Sequence, residues 1–217
     1  ICDDAGIPLI AIDIGIDGVP FFGGDNAMVG VVGGRRLGKV AQERWGEEPD
    51  ILLLIEDSTS GETPMPRVRN MPEGLRETFP DFPDEKIYTL DGAGDAADVQ
   101  KLVSDFLTAH PDAAEIFIVS NNDSGSLGAY NAVSTMGRDA NCIITGYNAD
   151  SFALEHLATT EDDSWKGTVN FNLAGYGDLA VPALLEILQT GTDNIPHELN
   201  TQTFIIDRSN VADYYNG

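Results

Sequence analysis

The sequence predicts an α/β protein built on a mostly parallel sheet. Apolar runs alternate with amphipathic segments along most of the 217 residues, and the runs at 51–55 and 116–119 are uniformly apolar. Uniformly apolar strands are typical of parallel sheets covered by helices on both faces, and sustained alternation of strand and helix is typical of crossover connections. A chain of this length can form one large domain or two small ones.

Local patterns place the individual elements. Strands are expected where apolar runs are bounded by turn residues, at 7–13, 51–55, 86–90, 116–119, 141–147, 167–171 and 202–206. Helices are expected where apolar residues recur at helical spacing, at 27–45, 72–79, 96–110, 127–133, 152–158 and 174–189. The segment between the first strand and Asp25 is expected to be a loop rich in Gly and Asp.

Several predicted strands end in acidic or carboxamide residues. These ends are Glu56-Asp57, Asn121-Asn122-Asp123, Tyr147-Asn148 and Asn170-Phe171-Asn172. If the strands are parallel neighbours, their ends meet at one edge of the sheet, where open α/β sheets bind ligands. Amide side chains donate and accept hydrogen bonds at once, which suits a neutral polyhydroxylated ligand. The same residues are also good helix caps, so both roles stay open.

The charge balance excludes some classes of partner. The chain carries 12 Lys and Arg against 36 Asp and Glu, a formal charge of −24. Such a surface does not attract nucleic acid or an anionic membrane. We expect no membrane-spanning segment and no signal peptide in this sequence, and its start within an apparent helix end leads us to expect a piece of a longer chain.

Motifs for catalysis or metal binding are weak. His110, His156 and His197 are scattered without the spacing of a metal site, and Ser124-Gly-Ser126 is not a nucleophile elbow. The glycine pairs at 23–24 and 33–34 lack the lysine and spacing of a phosphate loop. We therefore expect no enzyme activity, no catalytic residues, no metal site and no cofactor.

Five segments together resemble a known family. They are the segments at 5–13 (AGIPLIAID), 24–26 (GDN), 107–112 (LTAHPD), 120–129 (SNNDSGSLGA) and 145–148 (TGYN). In this order they resemble the type I periplasmic sugar-binding proteins, the ribose-binding type of solute receptor that serves ABC transporters. The likeness extends over nearly the whole chain.

The resemblance implies a flavodoxin- or Rossmann-like fold with two lobes joined by three crossovers. It assigns residues 14–170 and 200–217 to a complete C-terminal sugar-binding lobe. Residues 1–13 and 171–199 would be a remnant of the N-terminal lobe and the hinge crossovers. Most of the N-terminal lobe, with half of the sugar-contacting residues, would precede Ile1, so the fragment is expected to bind sugar weakly or not at all.

The resemblance also suggests ligand-binding residues at the strand ends. Asn122 matches a carboxamide that contacts sugar hydroxyls in the family, with helix capping as the alternative. Asp123 is expected to be a cap or a partner to the hinge, or a direct ligand contact. Asn148 stands where the family usually has Asp, which would alter ligand preference because Asn accepts on one side only.

At other positions the sequence departs from the family pattern. The family's arginine before Gly74 is replaced by Met71, so Arg69 or Arg67 would have to reach in from the loop, with a solvated surface arginine as the alternative.

The departures extend to the stacking ring. The family's stacking aromatic would fall near Gly94, which has no ring. Phe171 replaces a sugar-reading Gln and would either stack on the sugar or belong to the core at the hinge. Asn172 or Asn170 would then carry a polar contact nearby, while Asn26 is expected mainly to cap the following helix.

The functional prediction is therefore a substrate-binding protein that delivers a sugar or polyol to an ABC transporter by two-lobe closure. Its expected partners are the small-molecule sugar or polyol and the membrane permease, with no nucleic acid and no direct membrane insertion. The expected location is periplasmic or extracellular, secreted or lipid-anchored. The alternative is the effector-binding domain of a LacI-type transcriptional repressor, which has the same fold.

Overall fold

The computed structural model describes residues 1–2, 4–161, 163–172 and 175–215. Its strands are β1 (Ala11–Ile12), β2 (Phe21–Gly23), β3 (Ile51–Glu56), β4 (Ile87–Asp91), β5 (Ile116–Ser120), β6 (Cys142–Tyr147), β7 (Trp165–Asn170), β8 (Glu198–Asn200) and β9 (Phe204–Ile206). Its helices are α1 (Asn26–Arg44), α2 (Pro66–Arg69), α3 (Met71–Arg76), α4 (Ala96–Ala109), α5 (Asp123–Thr135), α6 (Ser151–Thr159) and α7 (Tyr176–Thr190). The predicted α/β class is confirmed.

The main sheet has six strands in the order β4-β3-β5-β6-β7-β9. The pairs β3–β4, β3–β5, β5–β6 and β6–β7 are all parallel, with Leu53 opposite both Tyr88 and Ile118. Every residue of β5 and β6 is buried, as expected for central strands covered on both faces. Strand β3 is buried up to Ile55, and its last residue, Glu56, is half-buried.

The chain divides into two compact units. The smaller unit consists of Ile1–Asp25 and Phe171–Phe204, and it contains α7 and a parallel three-stranded sheet in the order β1-β2-β8. The larger unit consists of Asn26–Asn170 and Ile205–Gly217, and it contains α1 to α6 and most of the six-stranded sheet. The assignment of 14–170 with 200–217 and of 1–13 with 171–199 to the lobes of a receptor stays a prediction.

Helix α1 packs against α3 with almost no side chains between the two backbones. A Cβ atom on Gly34 would lie 2.1 Å from the carbonyl oxygen of Met71, and one on Gly74 would lie 2.0 Å from that of Val31. No real Cβ atom approaches a carbonyl so closely, so both positions require glycine. This close approach fixes the loop before α3 against the first turns of α1.

Three local predictions differ from the structure. The predicted strand at 7–13 is reduced to Ala11–Ile12, and the segment expected to be a loop before Asp25 contains β2. The helix predicted at 72–79 runs instead from Met71 to Arg76, with Pro72 in its first turn, where its missing N–H costs nothing, and the short helix α2 precedes it. The predicted start of the last helix, Ala174, lies outside the described residues, and α7 is described from Tyr176.

Candidate ligand-binding site

The loops after β3, β5 and β6 lie at the same edge of the main sheet. Because these strands are parallel neighbours, their carboxyl ends point the same way, and they are followed by Asp57, Asn121 and Asn148 respectively. Open α/β sheets bind ligands at this edge. The predicted convergence of the strand ends is therefore present in the larger unit.

Asn122 is the N-cap of α5. Its side-chain oxygen accepts a hydrogen bond of 2.8 Å from the backbone N–H of Gly125, and the residue has extended backbone angles (φ −152°, ψ 168°). Capping is thus the role that the structure shows for this side chain. The cap uses only the carbonyl end of the amide, so contact between its NH₂ group and a sugar hydroxyl stays a prediction.

Asp123 is buried and holds the loop that follows β6 by hydrogen bonds. Its side chain is 0% exposed, and its Oδ2 atom accepts hydrogen bonds from the backbone N–H of Asp150 (2.9 Å) and from the hydroxyl of Thr168 (3.0 Å). The hydroxyl oxygen of Thr168 in turn accepts the N–H of Ala149 at 3.1 Å. Its complete burial favours a supporting role over direct ligand contact, which stays a prediction for Asp123.

Burial also changes the acidity of this carboxyl group. The pKa of Asp123 is raised from 3.8 to about 8, chiefly because burial penalises the charged form, while the hydrogen bonds from Asp150 and Thr168 oppose the shift. The group therefore holds its proton well above the pH at which an exposed aspartate ionises.

Asn148 follows β6 in an unusual conformation. Its φ is 113° and that of Ala149 is 58°, and residues other than glycine rarely adopt positive φ angles. The backbone N–H of Asn148 donates to Val169 at 3.0 Å, and the Asp123–Thr168 network holds the next two N–H groups. Strained backbone of this kind persists only where the surroundings determine it, and it is typical of ligand sites.

Arg67 is the arginine that lies beside Asn148. Its Nε atom donates to Asn26 Oδ1 at 2.6 Å, and its Nη1 atom lies 3.5 Å from Asn148 Oδ1. Its backbone carbonyl accepts the hydroxyl of Tyr147 at 2.8 Å, and a Cβ atom on Gly30 would lie 2.8 Å from the same oxygen. Helix α1 and the buried tyrosine thus fix the position of Arg67 from two sides.

Arg69, the other arginine that the sequence analysis named, is engaged elsewhere, and ligand contact by it stays a prediction. This exposed side chain makes two hydrogen bonds to the carboxylate of Glu56 (2.7 and 2.8 Å) and a third to Glu62 (2.7 Å). The bidentate pair with Glu56 fixes the guanidinium plane at the end of β3. Among the described contacts, none joins Arg69 to Asn122 or Asn148.

Phe171 and Asn172 belong to the smaller unit, whereas Asn170, the other candidate for a polar contact, is the last residue of β7 in the larger unit. Phe171 is only 2% exposed, and its ring packs so closely on Gly24 that a Cβ atom there would lie 2.6 Å from Cδ1. A stacking platform needs an exposed face, so the structure supports the core alternative for Phe171. Asn172 has a left-handed φ of 54°, and its carbonyl accepts the N–H of Gly175 at 2.9 Å.

The smaller unit contains one polar pair that the sequence analysis missed. Asp13 directly follows β1, has a φ of 61°, and accepts a hydrogen bond of 2.6 Å from the hydroxyl of Tyr176. Burial raises the pKa of Tyr176, with the Asp13 carboxylate adding to the effect. The available signal was the position of Asp13 at the end of an apolar run, the same criterion that selected Asn122 and Asn148.

The described residues contain neither a membrane-spanning helix nor a cluster of metal-binding side chains. Across the described part of the chain, no helix combines the length and the apolar character needed to cross a membrane. Among the same residues, no three His, Cys, Asp or Glu side chains are grouped so that they could hold a metal ion.

A family model for the periplasmic binding protein domain matches residues 2–193. The chain belongs to this family. Its members are solute-binding proteins and not enzymes, so the prediction of no enzyme activity is confirmed by the family. A search of curated proteins gives no match.

Solved structures of similar fold share little sequence with the chain. One is a periplasmic solute-binding protein from Actinobacillus succinogenes with bound D-allose (20% identity, TM-score 0.75, 98% of this chain and 74% of that one). Another is the arabinose-binding protein AraP from Geobacillus stearothermophilus (18%, 0.76, 99% and 72%). A third is a solute-binding protein from Bacillus halodurans with bound myo-inositol (20%, 0.72, 98% and 70%). At these identities the likeness establishes the fold.

Proposed function

We propose that the protein is an extracytoplasmic receptor for a sugar or related polyol, and that Asn26, Arg67, Asn122 and Asn148 form its binding wall in the larger unit. The observation that carries this proposal is the contact of Arg67 with Asn26 and Asn148 at the carboxyl edge of the sheet. The fold supports it too, since similar structures carry D-allose and myo-inositol.

The chemistry of the wall suits a neutral polyol. Each sugar hydroxyl donates one hydrogen bond and accepts others, so a matching wall needs donors and acceptors side by side. The amides of Asn122 and Asn148 provide both, and the guanidinium of Arg67 provides donors in a fixed plane.

The proposal extends to transport. We assign the smaller unit to a first lobe in which Asp13 and Tyr176 supply acceptor and donor groups, and we propose that the two lobes close on the sugar. The closed receptor would deliver its ligand to the membrane permease of an ABC transporter, outside the cytoplasm. The repressor alternative is not carried forward, because the matching family model describes a periplasmic binding protein domain.

A ligand screen tests the proposal. The full-length protein that carries this chain is titrated by calorimetry with D-ribose, L-arabinose, D-glucose, D-allose and myo-inositol, with L-leucine as a ligand of another class. Saturable binding of at least one polyol, and none of L-leucine, is expected. Binding of the amino acid without any polyol would overturn the proposal, as would the absence of binding to every polyol.

A further inference from the structure

A cavity with a volume of about 430 Å³ lies in the larger unit, away from the proposed sugar wall. It is bounded by the second half of α1, by the first residues of β7 and by the segment that follows β9. Its charged lining residues are Arg36, Glu43, Arg44, Lys166, Asp207 and Arg208. The volume lies within the range of small-molecule sites.

The lining has the opposite charge balance to the rest of the protein. The chain has 12 Lys and Arg against 36 Asp and Glu, yet among the described residues four of those 12 cations and two carboxylates line this cavity. A protein of net charge −24 repels anions over most of its surface. An anion should therefore bind most readily where cations cluster around a concave surface.

In the described part of the chain, Arg44 is anchored by backbone carbonyl groups. Its Nη2 atom donates to the backbone carbonyl of Asp139 at 2.9 Å, and its Nη1 atom lies 3.5 Å from that of Asp163. Carbonyl acceptors fix the guanidinium but carry no formal charge. Arg44 therefore brings an orientated positive charge to the cavity, and none of its described contacts is an ion pair that an anion would have to displace.

Two other arginines are fixed by ion pairs that hold the cavity wall together. Arg36 donates to Asp207 Oδ2 at 2.6 Å, and Arg208 donates to Asp163 Oδ1 at 2.8 Å. Arg208 also donates to the carbonyl of Leu157 at 2.9 Å. These arginines are held in place before any ligand arrives, which reduces the entropy cost of binding.

The cavity is separate from the proposed sugar wall. Arg44 is the last residue of α1 and Asn26 is the first, and the helix has 19 residues. At about 1.5 Å per residue, these two residues lie about 27 Å apart along the helix axis. A ligand at one end of this helix therefore does not share contacts with a ligand at the other.

We propose that this cavity binds a small polyanion bearing several phosphate or carboxylate oxygens. Guanidinium groups bind such oxygens in pairs, and Lys166 adds a compact positive charge on the β7 side of the cavity. A polyanion is required because Glu43, Asp207 and the Asp163 carboxylate paired with Arg208 offset much of the positive charge, so a single negative charge would gain too little.

Calorimetric titration of the full chain with pyrophosphate and with citrate tests this site. We expect one binding site for at least one probe, with affinity that falls as sodium chloride is raised. Arg44→Gln and Lys166→Gln should each weaken binding at least tenfold. Binding of pyrophosphate alone would define a phosphate site, and binding of citrate alone a carboxylate site.

Lys101→Gln is the matched control, because Lys101 is an exposed cation on α4 that pairs with Asp105. It should leave the affinity within threefold. The proposal is overturned if neither probe binds at millimolar concentration, or if Lys101→Gln weakens binding as much as the cavity variants do. If Arg44→Gln fails to fold, as judged by circular dichroism, Lys166→Gln decides the result alone.

Discussion

The guanidinium of Arg67 donates a hydrogen bond of 2.6 Å to Asn26, the first residue of α1, and lies 3.5 Å from the side-chain oxygen of Asn148 after β6. The three residues come from positions far apart in sequence. They meet because α1 approaches the backbone of α2 closely at Gly30 and because Tyr147 donates its hydroxyl to Arg67. This packing brings the side chains of Asn26, Arg67 and Asn148 together at the edge of the sheet where the strands have their carboxyl ends.

Replacement of Asn148 by glycine should weaken sugar binding without lowering the free energy of unfolding. Because its φ is 113°, Asn148→Gly should leave the free energy of unfolding unchanged or raise it by up to about 1 kcal/mol. The same variant should weaken sugar binding at least tenfold, because it removes the amide. Ala149→Gly is the control: it relieves the φ of 58° without loss of a polar group, so affinity should stay within threefold. Equal loss of affinity in both variants would show that the loop conformation matters and the amide does not.

Asp123 should make stability depend on pH. Its pKa in the folded protein is raised to about 8 from an ordinary value of 3.8, so the folded state binds this proton more tightly than the unfolded state does. Its contribution to the free energy of unfolding is therefore complete below about pH 4. This contribution is lost as the pH rises towards 8, and the free energy of unfolding falls by at most about 1.4 kcal/mol per pH unit. Urea unfolding from pH 4 to 8 should show this loss in the wild type, and the Asp123→Asn variant should lack that component. Parallel pH profiles would contradict the assignment.

The contact between α1 and α3 should tolerate no added methyl group. Gly34→Ala places a Cβ atom within 2.1 Å of the Met71 carbonyl, so the free energy of unfolding should fall by about 1–3 kcal/mol. Gly177→Ala in α7 is the control, because nothing lies within 4 Å of its Cβ position. There, the better helix propensity of alanine should raise stability by about 0.5–1 kcal/mol. Chemical denaturation measures both, and a stable Gly34→Ala variant would show that the helices can separate without cost.

Helix α7 exposes an apolar stripe that we expect another protein surface to cover. Val181, Leu185 and Leu188 are 57%, 54% and 61% exposed and lie on one helix face. The 217-residue chain should therefore self-associate, and the triple substitution of these residues by Lys should reduce association in sedimentation velocity. Met136→Lys, at a separate exposed apolar residue, is the control and should change nothing. A monomeric 217-residue chain would contradict the expectation.

Much of the fold could be predicted because its signals are local. The apolar runs of β3, β5 and β6 and the helical periodicity of α4 stand out within windows of a few residues. Strands β2 and β8 have only three residues each, too few to show any periodicity. Their existence depends on pairing with each other across the chain, which no local pattern shows.

The choice between Arg67 and Arg69 could not be made from sequence. The two residues are two positions apart, and their roles differ because Glu56 and Glu62 engage Arg69 while Tyr147 and Gly30 position Arg67. The burial of Phe171 could not be predicted from sequence either, because it depends on the absence of a side chain at Gly24. These outcomes follow from tertiary contacts over long sequence separations.

The most direct test of the sugar-binding wall is a comparison of Arg67→Lys with Arg69→Lys by isothermal titration. The polyol that binds the full-length wild-type protein serves as ligand. Lysine keeps the charge but loses the planar fork, so Arg67→Lys should weaken binding about 10–100-fold, in line with the loss of a charged hydrogen bond. Arg69→Lys should stay within threefold of the wild type, because its fork is occupied by Glu56. Loss of affinity in Arg69→Lys with none in Arg67→Lys would contradict the account.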